Sequence, residues 1–123
     1  MTNEERTGFR DQTPSRLRRS FGDDKCYCFD VDMIEERWIN DKRILVAVCD
    51  YKRNTSATDA QKARVIDLAK RLSNNQINKC KALIIRYHSD DYENDHFIVI
   101  ELWPDKSYLQ MDYDGFKNYI RNL

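Results

Sequence analysis

Residues 44–52 read Ile-Leu-Val-Ala-Val-Cys-Asp-Tyr-Lys, an apolar run that ends in two charged side chains. An almost unbroken apolar run of this kind is typical of a central strand that is covered on both faces of a sheet. Unpaired charge is costly at the end of such a strand. Asp50 and Lys52 are therefore the first residues to consider for chemistry.

The segment before this strand alternates in polarity from Cys26 to Trp38. One face carries Tyr27, Phe29, Val31 and Met33, and the other carries Asp30, Asp32, Ile34 and Glu36. This period-two pattern predicts a strand with one apolar face. Asn40 and Asp41 supply turn residues, so the two strands are expected to form an antiparallel hairpin.

The register of this hairpin decides which charged residues meet. If the turn centres near Asp41, Asp32 faces Asp50. Asp30 then faces Lys52, and opposed Cβ atoms are about 5 Å apart. A shift of one residue would place these side chains on opposite faces of the sheet. The candidate site therefore depends on the register.

A helix is expected soon after Lys52, because Thr58 and Gln61 have the spacing of a capping box. An apolar stripe at helical spacing follows, formed by Val65, Leu68, Ala69 and Leu72. The polar run Ser73, Asn74 and Asn75 is expected to end this helix.

The remaining elements complete the order helix, strand, strand, helix, strand, strand, helix. Apolar runs predict strands at Ala82–Tyr87 and Phe97–Trp103, and Thr13–Phe21 could form a short first helix. The last helix carries the stripe Phe116, Tyr119, Ile120 and Leu123, with Asp114 as its expected cap.

A chain of 123 residues fits one domain. Residues 1–25 are predicted to form a polar N-terminal arm with its helix, 26–103 the core, and 104–123 the C-terminal helix. The four cysteines show no zinc-knuckle spacing and are expected to be reduced and mostly buried. No stretch approaches the roughly 20 apolar residues of a membrane span, and the N-terminus does not resemble a secretory signal, so a cytoplasmic location is expected.

Two carboxylates held side by side repel each other unless a cation lies between them. Oxygen ligands alone suit Mg²⁺ or Mn²⁺ better than zinc. Such a metal can acidify a water, and Lys52 can stabilise charge that develops on a phosphoryl oxygen. The alternative is a purely structural ion-pair cluster, in which Asp30 or Asp32 pairs with Lys52.

The run 29–32 (Phe-Asp-Val-Asp), the hairpin, the run 46–52 and the following helix resemble the PD-(D/E)xK nuclease superfamily. That superfamily includes restriction enzymes, Holliday-junction resolvases and many phage nucleases. The resemblance covers roughly residues 27–103 and implies an α/β, restriction-endonuclease-like fold, with a mixed central sheet flanked by helices. It also implies a metal-dependent phosphodiesterase.

The resemblance assigns roles residue by residue. The first acid of the motif corresponds to Asp32 or, as the second choice, to Asp30. The second acid corresponds to Asp50 and the lysine to Lys52, so the metal ligands would be Asp32, Asp50 and Asp30. No proline precedes either first acid, and Asp50 stands where the longer glutamate is commoner.

Gln61 has two interpretations. Similar nucleases often place a glutamine near the site in the helix after the lysine, which would make Gln61 a catalytic residue. Alternatively, it only closes the capping box with Thr58. The linker from Tyr87 to His96 likewise carries enough histidines and carboxylates for a second metal, but its spacing fits a solvated hairpin tip better.

The net charge is zero, but residues 42–71 are mainly basic and residues 89–114 mainly acidic. One side of the molecule could therefore meet a polyanion. Candidate phosphate contacts are Arg16, Arg18, Arg19, Arg53, Lys62 and Arg64. The expected partner is nucleic acid, with DNA preferred to RNA, and a domain this small often reaches DNA as a homodimer. The alternative function is a nuclease-like module that has lost turnover and binds nucleic acid or a partner protein.

Overall fold

The computed structural model describes residues 32–123, which form five strands and two α-helices. The elements are β1 (Met33–Ile39), β2 (Lys42–Arg53), α1 (Asp59–Ser73), β3 (Lys81–Tyr87), a 3₁₀ turn (Tyr92–Asn94), β4 (His96–Trp103), β5 (Ser107–Asp112) and α2 (Tyr113–Arg121). The strands form one sheet in the order β1-β2-β3-β4-β5. Among these five described strands, only β2 and β3 pair in parallel. The prediction of an α/β fold with a mixed sheet is therefore confirmed.

The first hairpin reaches the predicted register by a different route. Its turn consists of Asn40 and Asp41, both with positive φ (52° and 62°), as a tight two-residue hairpin requires. This turn alone would shift the pairing by one residue. A β-bulge follows, because Glu35 pairs with Ala47 and Glu36 with Leu45, which leaves Val46 as the extra residue.

The bulge sets the pairs that matter for the site. Beyond it, Met33 pairs with Cys49. Asp32 lies one residue further along and is brought next to Asp50, as the sequence predicted. A hairpin with this turn and no bulge would have placed Asp32 and Asp50 on opposite faces.

The apolar run in β2 is covered on both faces, as predicted. Val48 packs with β3 and α1 on one face, and Ala47 and Cys49 pack on the other face with apolar side chains that include those of α2. Ala47, Val48 and Cys49 are all fully buried. Because side chains alternate along β2, the even-numbered residue Asp50 lies on the α1 face.

Helix α1 begins and ends where the sequence predicted. The Thr58 hydroxyl accepts a hydrogen bond from the Gln61 N–H (3.2 Å), and the Gln61 side-chain oxygen accepts one from the Thr58 N–H (2.9 Å). Val65 and Ala69 are buried against the sheet. The helix carries the chain from the end of β2 to the start of β3, which makes these strands parallel. It therefore starts at the same end of the sheet as Asp50.

The predicted order of elements is wrong near the C-terminus. Residues 104–123 contain strand β5 as well as a helix, and the cap of α2 is Asp112, whose side chain accepts from the Gly115 N–H at 2.8 Å. Asp114 lies in the first turn instead. The strand was missed because β5 is an edge strand with mostly exposed side chains and no continuous apolar run.

Strand β1 also differs from its prediction. It is an edge strand, and Met33, which was assigned to the apolar face, is 53% exposed. Glu35 and Arg37 are the partly buried residues of this strand. The Arg37 guanidinium donates a hydrogen bond to the carbonyl of Ile120 at the end of α2. Predictions for Cys26–Val31 and the helix at Thr13–Phe21 lie outside the described residues.

Neither α1 nor α2 has the length and apolar character that a transmembrane helix needs, and these are the α-helices of residues 32–123. Cys49 and Cys80 are buried free cysteines.

The capping box makes a direct stability prediction. Thr58→Ala removes the hydroxyl that accepts the Gln61 N–H, so the free energy of unfolding is expected to fall by about 1 kcal/mol. Urea denaturation measures this change. Thr55→Ala, an exposed position in the same loop, is the matched control and should leave the midpoint unchanged. Equal effects of the two substitutions would contradict the role of the cap.

Candidate functional site

Three charged residues meet where β1 begins and β2 nears its end. Asp50 is only 9% exposed, and its Oδ2 atom lies 3.4 Å from the Nζ atom of Lys52. The Asp32 Oδ2 atom accepts a hydrogen bond from the Tyr51 N–H at 2.7 Å. The structure therefore brings together the three residues on which the sequence analysis depended.

The two carboxylates affect each other directly. The pKa of Asp50 is raised above its ordinary value by burial, and then by hydrogen bonding with Asp32 and by the negative charge of Asp32. Lys52 lowers the same pKa, but these opposing effects are larger. Asp50 therefore has a cation on one side and a second carboxylate on the other.

The local backbone explains this geometry. Met33 is the first paired residue of β1, so Asp32 lies just beyond the regular ladder. Its side chain satisfies the backbone N–H of Tyr51 in place of a strand carbonyl. This hydrogen bond holds one oxygen of Asp32 against β2. Asp50 and Lys52 are two residues apart on one strand and so share a face of the sheet.

The carboxylates fit a hard divalent cation. Mg²⁺ is commonly held by one or two carboxylates, with water and substrate phosphate in its other positions. Asp32 and Asp50 would supply the carboxylates, and the backbone carbonyl of Cys49 or Tyr51 is a candidate further ligand. Within residues 32–123 there is no cluster of three or more His, Cys, Asp or Glu side chains that could hold a metal ion. Asp30, the third predicted ligand, lies outside the described residues.

The structural ion-pair alternative is realised only in part. Lys52 pairs with Asp50 on its own strand, whereas the alternative placed it against Asp30 or Asp32 on the neighbouring strand. This ion pair accounts for Lys52 and for the charge of Asp50. It does not neutralise Asp32, whose carboxylate is held beside Asp50 by the Tyr51 N–H.

Gln61 lies at the start of α1, and its side-chain oxygen is used by the Thr58 N–H. The capping interpretation is therefore observed directly. A catalytic role for Gln61 stays a prediction.

The predicted phosphate contacts are only partly described. Arg16, Arg18 and Arg19 lie outside the described residues. Arg53 is exposed and forms an ion pair with Asp90 at 2.8 Å, so its charge is already compensated. Lys62 and Arg64 lie on the first two turns of α1, with Lys62 partly buried and Arg64 exposed.

The acidic linker between β3 and β4 is organised by Asp95. This buried carboxylate accepts hydrogen bonds from the N–H groups of His88 (2.8 Å), Ser89 (3.1 Å) and His96 (2.8 Å). The His88 Nδ1 atom lies 3.1 Å from the Oδ1 atom of Asp95, the oxygen that also accepts the His96 N–H. These hydrogen bonds, led by the one from the His88 backbone, lower the pKa of Asp95 to about 2. Asp95 therefore has a structural role in the linker, where it accepts hydrogen bonds from the backbone.

Sequence reasoning missed Arg86. This arginine follows four buried apolar residues, 82–85, in β3, and its Nε atom is buried with no hydrogen-bond partner within residues 32–123. It pairs in register with Lys52. An arginine inside an apolar strand was a visible signal, but its position beside Lys52 required the parallel pairing of β2 with β3.

Comparison with protein families, with curated proteins and with solved structures finds no match for this chain. Membership of the PD-(D/E)xK superfamily therefore stays a prediction. Its support is the motif in the sequence and the geometry of Asp32, Asp50 and Lys52.

The linker carboxylate predicts a pH dependence of stability. The pKa of Asp95 is depressed in the folded chain, so its contribution is present above the unfolded value of about 4 and is lost as the pH falls towards 2. Asp95→Asn should lower the thermal unfolding midpoint at pH 7. The difference between the unfolding midpoints of Asp95→Asn and the parent protein should decrease below pH 4 and disappear near pH 2.

Asp105→Asn, at an exposed carboxylate, is the control and should track the parent protein at every pH. A gap for Asp95→Asn that is constant from pH 7 to pH 2 would show that the carboxylate charge is not what stabilises the linker.

Proposed function

We propose that this chain is a metal-dependent nuclease that hydrolyses phosphodiester bonds in nucleic acid, with DNA as the expected substrate. The observation that carries the proposal is the contact between Asp32 and Asp50 beside Lys52. The buried carboxylate of Asp50 and the exposed carboxylate of Asp32 repel each other, and a cation between them reduces this repulsion. A bound Mg²⁺ or Mn²⁺ ion would offset the repulsion between these two carboxylates.

Asp32 and Asp50 would hold the metal, which supplies Lewis acidity and lowers the pKa of a water. In the hydrolysis, the water oxygen bonds to phosphorus and loses a proton, while the P–O bond to the leaving sugar oxygen breaks and that oxygen gains a proton. The Lys52 ammonium lies next to Asp50 and is suited to orient the water. It can also stabilise the negative charge that develops on the phosphoryl oxygens.

The hydrogen bond from the Tyr51 N–H positions the Asp32 carboxylate. Because this donor belongs to the backbone of a buried strand, Asp32 needs little reorganisation to bind a cation. Burial of Asp50 excludes part of the surrounding water, which strengthens its attraction to a cation. Both features favour a preformed site at the end of β2.

A second function, binding of nucleic acid or a partner protein without turnover, is favoured by a different observation. Lys52 already pairs with Asp50, and the described residues offer only two carboxylates at the site. A chain that had lost its metal could keep the fold and the ion pair. Metal binding distinguishes the two functions.

The test is incubation with linear, branched and single-stranded DNA and with RNA, in Mg²⁺ or Mn²⁺. The parent protein should cleave at least one substrate. Lys52→Ala should reduce the rate by about 100-fold or more, because it removes a charge that acts on the transition state. Lys42→Ala, at the exposed far end of the same strand, is the matched control and should retain full activity.

Asp50→Asn preserves the shape of the side chain and is the second variant. Calorimetric titration with Mn²⁺ should show saturable binding to the parent protein that Asp50→Asn removes. Cleavage that survives in EDTA would contradict the metal mechanism. Nucleic-acid binding with neither cleavage nor Mn²⁺ binding would establish the binding module instead.

A further inference from the structure

Arg86 is a partly buried cation, and its Nε donor has no acceptor within residues 32–123. The preceding residues of β3, Ala82 to Ile85, are at most 1% exposed, so the arginine side chain leaves the strand next to the core. Its Nε atom is inaccessible to solvent and lacks a hydrogen-bond acceptor within residues 32–123. A buried N–H of a charged group that lacks an acceptor is unfavourable. Such an atom indicates an acceptor other than the groups of residues 32–123.

The position of Arg86 on the sheet shows where that acceptor would lie. In the parallel pairing of β2 with β3, Asp50 lies opposite Ile84 and Lys52 opposite Arg86. Side chains alternate along both strands, so Arg86 shares a face with Lys52 and Asp50. Adjacent strands are about 4.8 Å apart, so one small anion can contact both cationic side chains.

The neighbours of Arg86 do not neutralise it. On its other side the register partner is the apolar Ile98 of β4. Asp50 is paired with Lys52 and is also in contact with Asp32. By contrast, the buried Glu101 on β4 has its own partner, the Lys81 ammonium at 3.1 Å. Within residues 32–123, the buried charge of Glu101 thus has a partner, whereas the Nε–H of the partly buried Arg86 has none.

The chemistry of the missing acceptor follows from the guanidinium group. Its planar set of donors matches two oxygens of a phosphate group, and it keeps its charge at any physiological pH. Asp32 and Asp50 repel any anionic ligand. A carboxylate ligand carries less negative charge than a phosphate, so it would be bound less strongly by Lys52 and Arg86 together. A phosphate can contact both cations and still present an oxygen to a metal held by the carboxylates.

We propose that Arg86 binds the phosphate group that is to be cleaved and holds it on the α1 face of the sheet between Lys52 and itself. The identity of this phosphate as a nucleic-acid phosphodiester rests on the proposed function, whereas the anion site rests on the position of Arg86 beside Lys52. Arg86 would position the phosphate for attack and share the stabilisation of charge with Lys52.

The first test uses inorganic phosphate as the probe and needs no nuclease activity. The Nε–Hε signal of Arg86 is assigned in a nitrogen–proton NMR spectrum by its loss in Arg86→Met. Phosphate should shift this signal saturably. The signal of Arg43, which lies exposed near the far end of β2, is the control and should not saturate. An Arg86 signal that does not move, or that moves like Arg43, would overturn the anion site.

Stability separates a binding role from a structural one. Arg86→Met keeps the length and apolar stem of the side chain and removes the unsatisfied charge. Its thermal unfolding midpoint should equal or exceed that of the parent protein, because binding groups are often unfavourable in the free protein. A marked fall in the midpoint would show that Arg86 is held by interactions of the folded chain and would contradict the proposal.

The second test links the site to nucleic acid. The slope of log binding constant against log salt concentration for duplex DNA should become shallower by about 0.9 in Arg86→Met, as expected for one lost phosphate contact. Arg43→Gln should leave the slope unchanged. The kcat/KM of cleavage should fall in Arg86→Met and not in Arg43→Gln.

The proposed function and the proposed role of Arg86 can be refuted independently of each other. A parent protein that binds phosphate at Arg86 but cleaves no nucleic acid would refute the proposed function and leave the anion site intact. A parent protein that cleaves DNA, while Arg86→Met retains both its salt slope and its kcat/KM, would refute the role of Arg86 and leave the nuclease intact.

Discussion

The contact between Asp32 and Asp50 is the constraint on which this account of the molecule depends. One carboxylate is the last buried residue of β2, and the other accepts a hydrogen bond from the Tyr51 N–H of that strand. Burial, and then the proximity of Asp32, raise the pKa of Asp50 despite the nearby Lys52 ammonium. The Tyr51 N–H and the Lys52 ammonium each gain a partner from this arrangement, and a bound cation would further reduce the repulsion between the two carboxylates.

The rest of the sheet can be understood as the support for that contact. The bulge near Val46 sets the register that brings Asp32 to Asp50, and α1 returns the chain so that β3 lies parallel to β2. The parallel pairing then places Arg86 next to Lys52. Asp50, Lys52 and Arg86 thus share one face of β2 and β3, and Asp32 lies beside Asp50 just before β1 begins.

The sequence predicted the parts of the fold where physical signals are strong. The apolar run in β2 and the capping box of α1 were each located from residues alone, because continuous burial and side-chain capping leave clear patterns. The hairpin register was correct although its cause was not, since the two-residue turn at Asn40 and Asp41 is compensated by a bulge that no local pattern indicated.

What the sequence did not predict depends on tertiary contacts. Strand β5 is an exposed edge strand whose weak alternation is stabilised by pairing with β4. The cap of α2 is Asp112, and Asp114 was chosen because the end of β5 was not recognised. Arg86 could be noticed in its apolar run, but its relation to Lys52 appears only when two distant strands pair.

The most direct measurement is the pKa of Asp50, obtained from the carbon NMR titration of its carboxyl group. We expect a value above 3.8, the ordinary pKa of this carboxyl, in the parent protein. We also expect a lower value in Asp32→Asn, because the neighbouring charge is removed and an amide can donate to Asp50. A pKa of Asp50 that is the same in both proteins would mean that the two carboxylates are not in contact, and the metal site would have no basis.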